Sequence, residues 1–261
     1  TTGLDPVNTA AIERLIKHVD LNVIDRQVAK YHLGRALGVG TPTEQNRGRQ
    51  LLVTLSKSAK DRSLRAGALL ILARMGNASA GKALLMNYPA SSAARTMLKR
   101  EGISLTDDEL KIRVNKLFAM RAYDLAEPNY QRLAKTGTPE TRQDALLKLA
   151  IIRMRLRERY PESAAYLKKA MTGPNHRLAD SARYRYGLTL GYLGRFLEAS
   201  RMMREFIPAG SRGRRSVYAR YQVGRLLHEA GRYDDALAAH RDFLKTRPPD
   251  RPKWTWFEGW T

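Results

Sequence analysis

A short pattern that returns after 37 residues constrains this chain more than any other feature of its sequence. The first copy begins at Gly187 and reads GLTLGYLGRFLEA, and the second begins at Gly224 and reads GRLLHEAGRYDDA. Both copies follow G-x6-G-R-aromatic-x2-A. A fixed period of this length is the signature of tandem helical repeats. The pattern therefore predicts helix hairpins stacked on one another.

The spacing within each copy has a physical explanation. The first glycine lies inside a helix, where the absence of a side chain lets a second helix approach closely. The second glycine, Gly194 or Gly231, ends that helix, because glycine adopts the left-handed conformation at little cost. The alanine marks the place where the next helix crosses tightly, and Pro248 ends the second helix of the last full copy. This order of residues is the tetratricopeptide pattern.

Weaker copies of the pattern extend toward the N-terminus. We assign the repeat alanines to Ala126, Ala164, Ala199 and Ala236, at offsets of 38, 35 and 37 residues. Thr106, followed three residues later by an acidic residue, predicts a capped helix start. No stretch alternates apolar and polar residues with the period of a strand. We therefore predict an all-α fold, a right-handed superhelical solenoid of tetratricopeptide-like helix hairpins.

The period divides the chain into three segments. Residues 1–103 read as an irregular N-terminal set of helices, and residues 104–251 as tetratricopeptide-like repeats. Residues 252–261 read as the start of a truncated further repeat, because Gly259 follows Gly224 by 35 residues. We therefore expect the chain to be a fragment of a longer protein.

Composition limits the classes of function. The chain is 43% hydrophobic, which suffices for a core, and it has no cysteines, which excludes disulfides and thiolate metal sites. No apolar run is long enough to span a membrane, and no signal peptide is visible. The net charge of +22 favours an anionic partner or surroundings. The excess is spread along the chain, with local runs at residues 153–159 and 212–215, which favours a solvated surface over a nucleic-acid site.

The closing part of the chain carries a family resemblance. It reads YQVGRLLHEAGRYDDA over residues 221–236 and PDRPKWTWFEGW over residues 249–260. Upstream, Tyr88-Pro89 and then Leu105-Thr106 followed by two acids occur in a similar order. These segments resemble the superhelical domain of soluble lytic murein transglycosylases. The resemblance implies a curved periplasmic scaffold that precedes a lysozyme-like domain, in which one glutamate cleaves the glycan strand of peptidoglycan.

No catalytic residue is carried over from that family. Its signature is a Glu-Ser pair before an aromatic residue, followed by a Gly-Leu-Met-Gln run. Glu162-Ser163 is followed by Ala-Ala-Tyr inside a repeat helix, and the run is missing. The resemblance implies that any catalytic domain lies beyond Thr261. The five histidines lack ligand spacing and no phosphate loop occurs, so we predict neither a metal nor a cofactor.

The repeat numbering predicts a ligand groove. With Gly224 as the eighth residue of its repeat, positions 2, 5, 9 and 12 face the inner groove of a tetratricopeptide array. The candidates at these positions are Tyr184, Tyr218, Tyr221, Arg225, His228, Trp256 and Trp260. Aromatic faces beside an arginine suit stacking on sugars and contacts with carboxylates. In the alternative interpretation these aromatics are core side chains wedged between helices, where a frame shift of one residue would put them.

Three functions remain open at this point. The first is a non-catalytic scaffold that positions or binds peptidoglycan, or another anionic cell-wall polymer, in the periplasm. The second is an adaptor that binds segments of protein partners in its groove. The third is a basic solenoid that binds nucleic acid, which the even spread of charge disfavours.

Overall fold

The computed structural model describes residues 6–18, 20–100, 104–155, 159–207 and 213–246. Within these ranges the chain forms fourteen α-helices and no strand. The chain divides into two compact units, Thr1–Ala126 and Glu127–Thr261. The helices are α1 (Pro6–Lys17), α2 (Val23–Leu37), α3 (Pro42–Ser58), α4 (Arg62–Arg74), α5 (Ala78–Asn87), α6 (Ser92–Arg100), α7 (Asp107–Ala119), α8 (Tyr123–Thr136), α9 (Pro139–Arg155), α10 (Tyr160–Met171), α11 (His176–Tyr192), α12 (Phe196–Phe206), α13 (Arg214–Glu229) and α14 (Tyr233–Lys245).

In the first unit, α1 to α5 pack in sequence, each against the next. Small residues allow α2 and α3 to cross closely, since a Cβ added at Gly48 would lie 2.9 Å from the carbonyl oxygen of Gly34. The predicted cap before α7 is present. The Thr106 hydroxyl accepts a hydrogen bond from the backbone N–H of Glu109, and the Glu109 carboxylate accepts one from the backbone N–H of Thr106.

Four hairpins of the described chain turn in the same way. At each turn one residue has a positive φ, and the following residue donates its backbone N–H to a carbonyl five residues earlier, at 2.9–3.0 Å. The residues with positive φ are Gly76, Arg121, Gly194 and Gly231. This geometry explains the Gly-Arg-aromatic step, in which glycine takes the left-handed position at little cost. At Arg121, with φ 59°, a side chain occupies that position.

The second unit sets the register of the repeats. Its hairpins α9–α10, α11–α12 and α13–α14 pack in sequence. Ala199 and Ala236 are fully buried at the predicted crossings, but the prediction for the preceding hairpin is off by one residue. Ser163 is fully buried there, and Ala164 is only half-buried. The Ser163 hydroxyl donates a hydrogen bond to the carbonyl oxygen of Ala150 at 3.0 Å, so a small polar residue fits where alanine was expected.

Each crossing continues four residues later with a larger buried side chain. These are Leu167, Met203 and His240. A Cβ added at Gly187 would lie 2.9 Å from Met203 Cε, and one added at Gly224 would lie 2.5 Å from His240 Cε1. The first glycine of the pattern is therefore where the second helix of the hairpin rests on the first, as its spacing predicts.

These features confirm the predicted fold class, an all-helical solenoid of consecutively packed hairpins with tetratricopeptide-like turns and crossings. The segment boundaries at residues 103/104 and 251/252 stay predictions. Residues 252–261, read as a truncated repeat, lie outside the described residues, as do Trp256 and Trp260.

Candidate functional site

The first helices of the three hairpins in the second unit, α9, α11 and α13, form what we call the first-helix layer. Helix α9 contacts α11 as well as its own partner α10. Helices α11 and α13 share one apolar core, to which they contribute Leu190 and Val223. Side chains from all three helices can therefore act together on one surface.

Two tyrosines from neighbouring helices come together in this layer. Tyr184 of α11 is half-buried, and its ring lies 5.1 Å from that of Phe206. Tyr218 of α13 is 39% exposed. Burial raises the pKa of Tyr184, and the nearby Tyr218 raises it further, while Arg185 and Arg215 oppose the shift. The two phenols therefore lie near one another and near positive charge.

Three arginines, one from each helix of the layer, surround these tyrosines. Arg185 of α11 is half-buried and donates a hydrogen bond from Nη1 to the Ser181 hydroxyl at 3.3 Å. Burial lowers the pKa of Arg185, and the positive charges of Arg215 on α13 and Arg155 on α9 lower it further. We call Arg155, Arg185, Arg215, Tyr184 and Tyr218 the arginine–tyrosine cluster.

The cluster arginines differ from other arginines of the second unit in their partners. Within the described residues, none of the three forms an ion pair with a carboxylate. Elsewhere in the unit such pairs are common: Arg183 with Asp180, Arg195 with Glu198 and Arg232 with Asp235. Positive charges gathered without a counter-charge and beside phenol rings form a surface suited to an anionic group.

Tyr221, a predicted groove residue, lies among core side chains. It is 8% exposed and packs with Phe243 and Leu244, and its ring lies 6.1 Å from His240. Burial raises the pKa of its phenol. This is the position that the alternative interpretation gives to the aromatics, and it leaves Tyr221 little ring surface for a ligand.

The other predicted groove residues of α13 are half-buried. Arg225 donates a hydrogen bond from Nε to Gln222 Oε1 at 2.8 Å, and the His228 ring meets that of Tyr233 edge-on at 5.3 Å. The assignment of the seven candidates to a groove as a set stays a prediction.

The basic run at residues 153–159 does not form one surface. Arg153 is 7% exposed and forms ion pairs with Glu127 of α8 and with Glu162 of α10, the latter at 2.9 Å. Arg155, two residues later, is exposed and belongs to the cluster. Glu162, set aside as a catalytic residue on sequence grounds, is thus an ion-pair partner of a buried arginine.

Sequence reasoning found the tyrosines of the cluster and missed its arginines as a group. Arg185 lies at the sixth repeat position, which the groove rule omits, and Arg155 and Arg215 were counted only within basic runs. Their separations of 30 residues each hold a signal, since a constant step places them on three successive first helices.

Two further kinds of site were sought within the described ranges. No three side chains of histidine, aspartate or glutamate come together there as a metal site could. None of the helices there combines the length and apolar character needed to cross a membrane.

Comparisons with known proteins give one distant similarity. No protein-family model matches the chain, and no curated protein matches it. Among solved structures, the chain is similar to the one described as "Crystal Structure of Rap Protein Complexed with Competence and Sporulation Factor". The identity is 15%, the match covers 90% of this chain and 65% of that chain, and the TM-score is 0.35. A similarity this low carries no conclusion about function.

Proposed function

We propose that this chain is a helical-repeat binding module, an adaptor that holds a segment of a protein partner on the first-helix layer of its second unit. The observation that carries the proposal is the arginine–tyrosine cluster. It gathers partly exposed aromatic rings and unpaired guanidinium groups from three successive hairpins onto one surface.

Two physical properties support a binding role. Tyrosine and arginine are the residue types that contribute most to protein interfaces, because they combine apolar surface with directed hydrogen bonds. A rigid repeat scaffold also presents such groups already ordered, which lowers the entropic cost of binding. Arg185 is a half-buried cation whose printed hydrogen bond is to a neutral hydroxyl, so a partner that supplied an acceptor would improve its surroundings.

The family resemblance supports a second candidate, a periplasmic scaffold that holds peptidoglycan for a catalytic domain. The proximity of Tyr184 and Tyr218 to Arg185 and Arg215 favours it, since tyrosine faces suit sugars and arginines suit lactyl or peptide carboxylates. The two candidates use the same surface and differ in ligand.

The experiment is a selection of random peptides displayed on phage against the immobilised chain, followed by calorimetry on the enriched peptides. We expect micromolar binding that Tyr218→Ala weakens by about tenfold, the loss of one well-packed interface aromatic. Tyr233→Ala is the matched control, because Tyr233 is a 59% exposed tyrosine on a second helix, α14.

Co-sedimentation with purified peptidoglycan sacculi, in the same variants, separates the two candidates. Binding to sacculi that Tyr218→Ala abolishes, together with no peptide enrichment, would replace the adaptor by the scaffold. Enriched peptides that bind Tyr218→Ala as tightly as the unmodified chain would place the interaction elsewhere and overturn the proposal.

A further inference from the structure

The arginine–tyrosine cluster also specifies the chemistry of its ligand. We propose that the partner segment is acidic and extended, and that its carboxylates pair with Arg185, Arg215 and Arg155 as it crosses the three first helices. This inference rests on the proposed function and adds the charge and conformation of the segment.

The argument begins with the solvation of Arg185. Its guanidinium is half-buried, and it donates one hydrogen bond, to the neutral Ser181 hydroxyl. Taking a cation out of water is costly unless a counter-charge replaces the lost hydration. A carboxylate fits best, because its two oxygens can accept parallel hydrogen bonds from the planar guanidinium fork.

The neighbours of Arg185 strengthen the preference for a negative group. Arg215 and Arg155 are both exposed and close enough to lower the pKa of Arg185 through like-charge repulsion. An anion held between them relieves this repulsion. The hydroxyls of Tyr184 and Tyr218 add neutral donors at the same place, and their rings offer apolar surface to the backbone of the segment.

The placement of the arginines favours an extended peptide. Each belongs to a different helix of the layer, and packed helices lie about 8–10 Å apart. An extended peptide rises about 3.3 Å per residue, so roughly eight residues suffice to cross three helices. A segment of that length with several acidic residues can meet the three arginines in turn.

The net charge of +22 supplies attraction for any polyanion, so the test must separate the cluster from the total charge. Fluorescence anisotropy with labelled octaglutamate measures binding to the full chain at about 150 mM salt, where long-range attraction between exposed charges is largely screened. Octaglutamine serves as the neutral probe. An eight-nucleotide single-stranded DNA serves as the competing polyanion.

We expect Arg185→Gln and Arg215→Gln each to weaken octaglutamate binding by about tenfold, the loss of one charge-assisted hydrogen-bonded contact. Arg195→Gln and Arg232→Gln are matched controls. They remove the same charge from exposed arginines that already pair with Glu198 and Asp235, and we expect changes below about twofold. Arg215 is exposed, so its variant tests the inference even if Arg185→Gln perturbs folding; melting by circular dichroism checks both.

Three results would overturn the inference. Equal losses in the cluster and control variants would mean that only the total charge binds. Equal affinity for octaglutamine would remove the role of charge. Tighter, cluster-dependent binding of the DNA would assign the surface to nucleic acid. If the displayed peptides prove neutral but still require Tyr218, the adaptor proposal stands and the acidic segment alone fails.

Discussion

The contact between Gly224 and His240 makes a quantitative prediction about the last described hairpin. A Cβ added at Gly224 would lie 2.5 Å from His240 Cε1 and 2.7 Å from both ring nitrogens. The His240 ring is rigid, 5% exposed, and has the Tyr221 ring as a neighbour at 6.1 Å. Gly224→Ala therefore forces a displacement within a packed core.

Two opposing contributions determine the magnitude. Replacing a glycine inside a helix by alanine stabilises the helix by about 1 kcal/mol. Overpacking a core costs about 1–3 kcal/mol. We expect Gly224→Ala to lower the free energy of unfolding by about 1 kcal/mol on balance. In a His240→Ala background, where the obstacle is absent, the same change should raise it by about 1 kcal/mol.

Gly187→Ala provides the matched control at the equivalent position of the preceding hairpin. There the nearest atom is Met203 Cε at 2.9 Å, the end of a flexible side chain that can move aside. We expect this variant to be neutral or up to about 1 kcal/mol more stable.

Urea unfolding followed by circular dichroism gives the four free energies of the cycle. Because stability in a repeat array is local, hydrogen exchange of peptides from α13 and α14 measures the same effect in the hairpin itself. The reasoning fails if Gly224→Ala stabilises the unmodified chain, or if its effect is the same with and without His240.

Three more predictions concern the same unit. Gln143→Ala should cost about 2–3 kcal/mol in urea unfolding, because the buried amide accepts from Asn175 N–H and donates to two backbone carbonyls, whereas exposed Gln50→Ala should change stability by less than about 0.5 kcal/mol. Ser163→Ala should stay within about 0.5 kcal/mol, because alanine fits the crossing and the carbonyl that the hydroxyl contacts is part of a helix; a loss above about 2 kcal/mol would contradict this. Burial and the nearby His228 lower the pKa of His240, so the unfolded chain binds the proton more readily and stability should fall as the pH drops below about 6.5; urea midpoints at high and low pH should converge in His240→Leu, and an unchanged difference would refute this origin.

The sequence predicts most of the fold because the turns and crossings use residues with few substitutes. Gly194 and Gly231 occupy positive φ values, and Ala199 and Ala236 are fully buried at crossings. The prediction slipped at α10, where no glycine marks the turn. Two adjacent small residues could each fill the crossing there, and only the packing distinguishes Ser163 from its neighbour.

The candidate site was harder to predict, because it depends on which helices lie side by side. Tyr184 and Tyr218 follow from the repeat numbering. The proximity of Arg155 to Arg185 does not, since it requires the offset between successive hairpins in three dimensions. Burial likewise separates Arg155 from Arg153, which shares its helix and its charge but lies in the core between two glutamates.

The ion pairs of Arg153 bear on where this protein can be divided for expression. The Gly137–Thr138 turn between α8 and α9 is an obvious cloning boundary, because it interrupts the helical pattern. A fragment that starts there would lose Glu127 and leave a buried cation with only Glu162, and breaking a buried pair costs about 3–5 kcal/mol. Shorter pieces of this array should therefore retain α8 as an N-terminal helix, even when the surface under study belongs entirely to later hairpins.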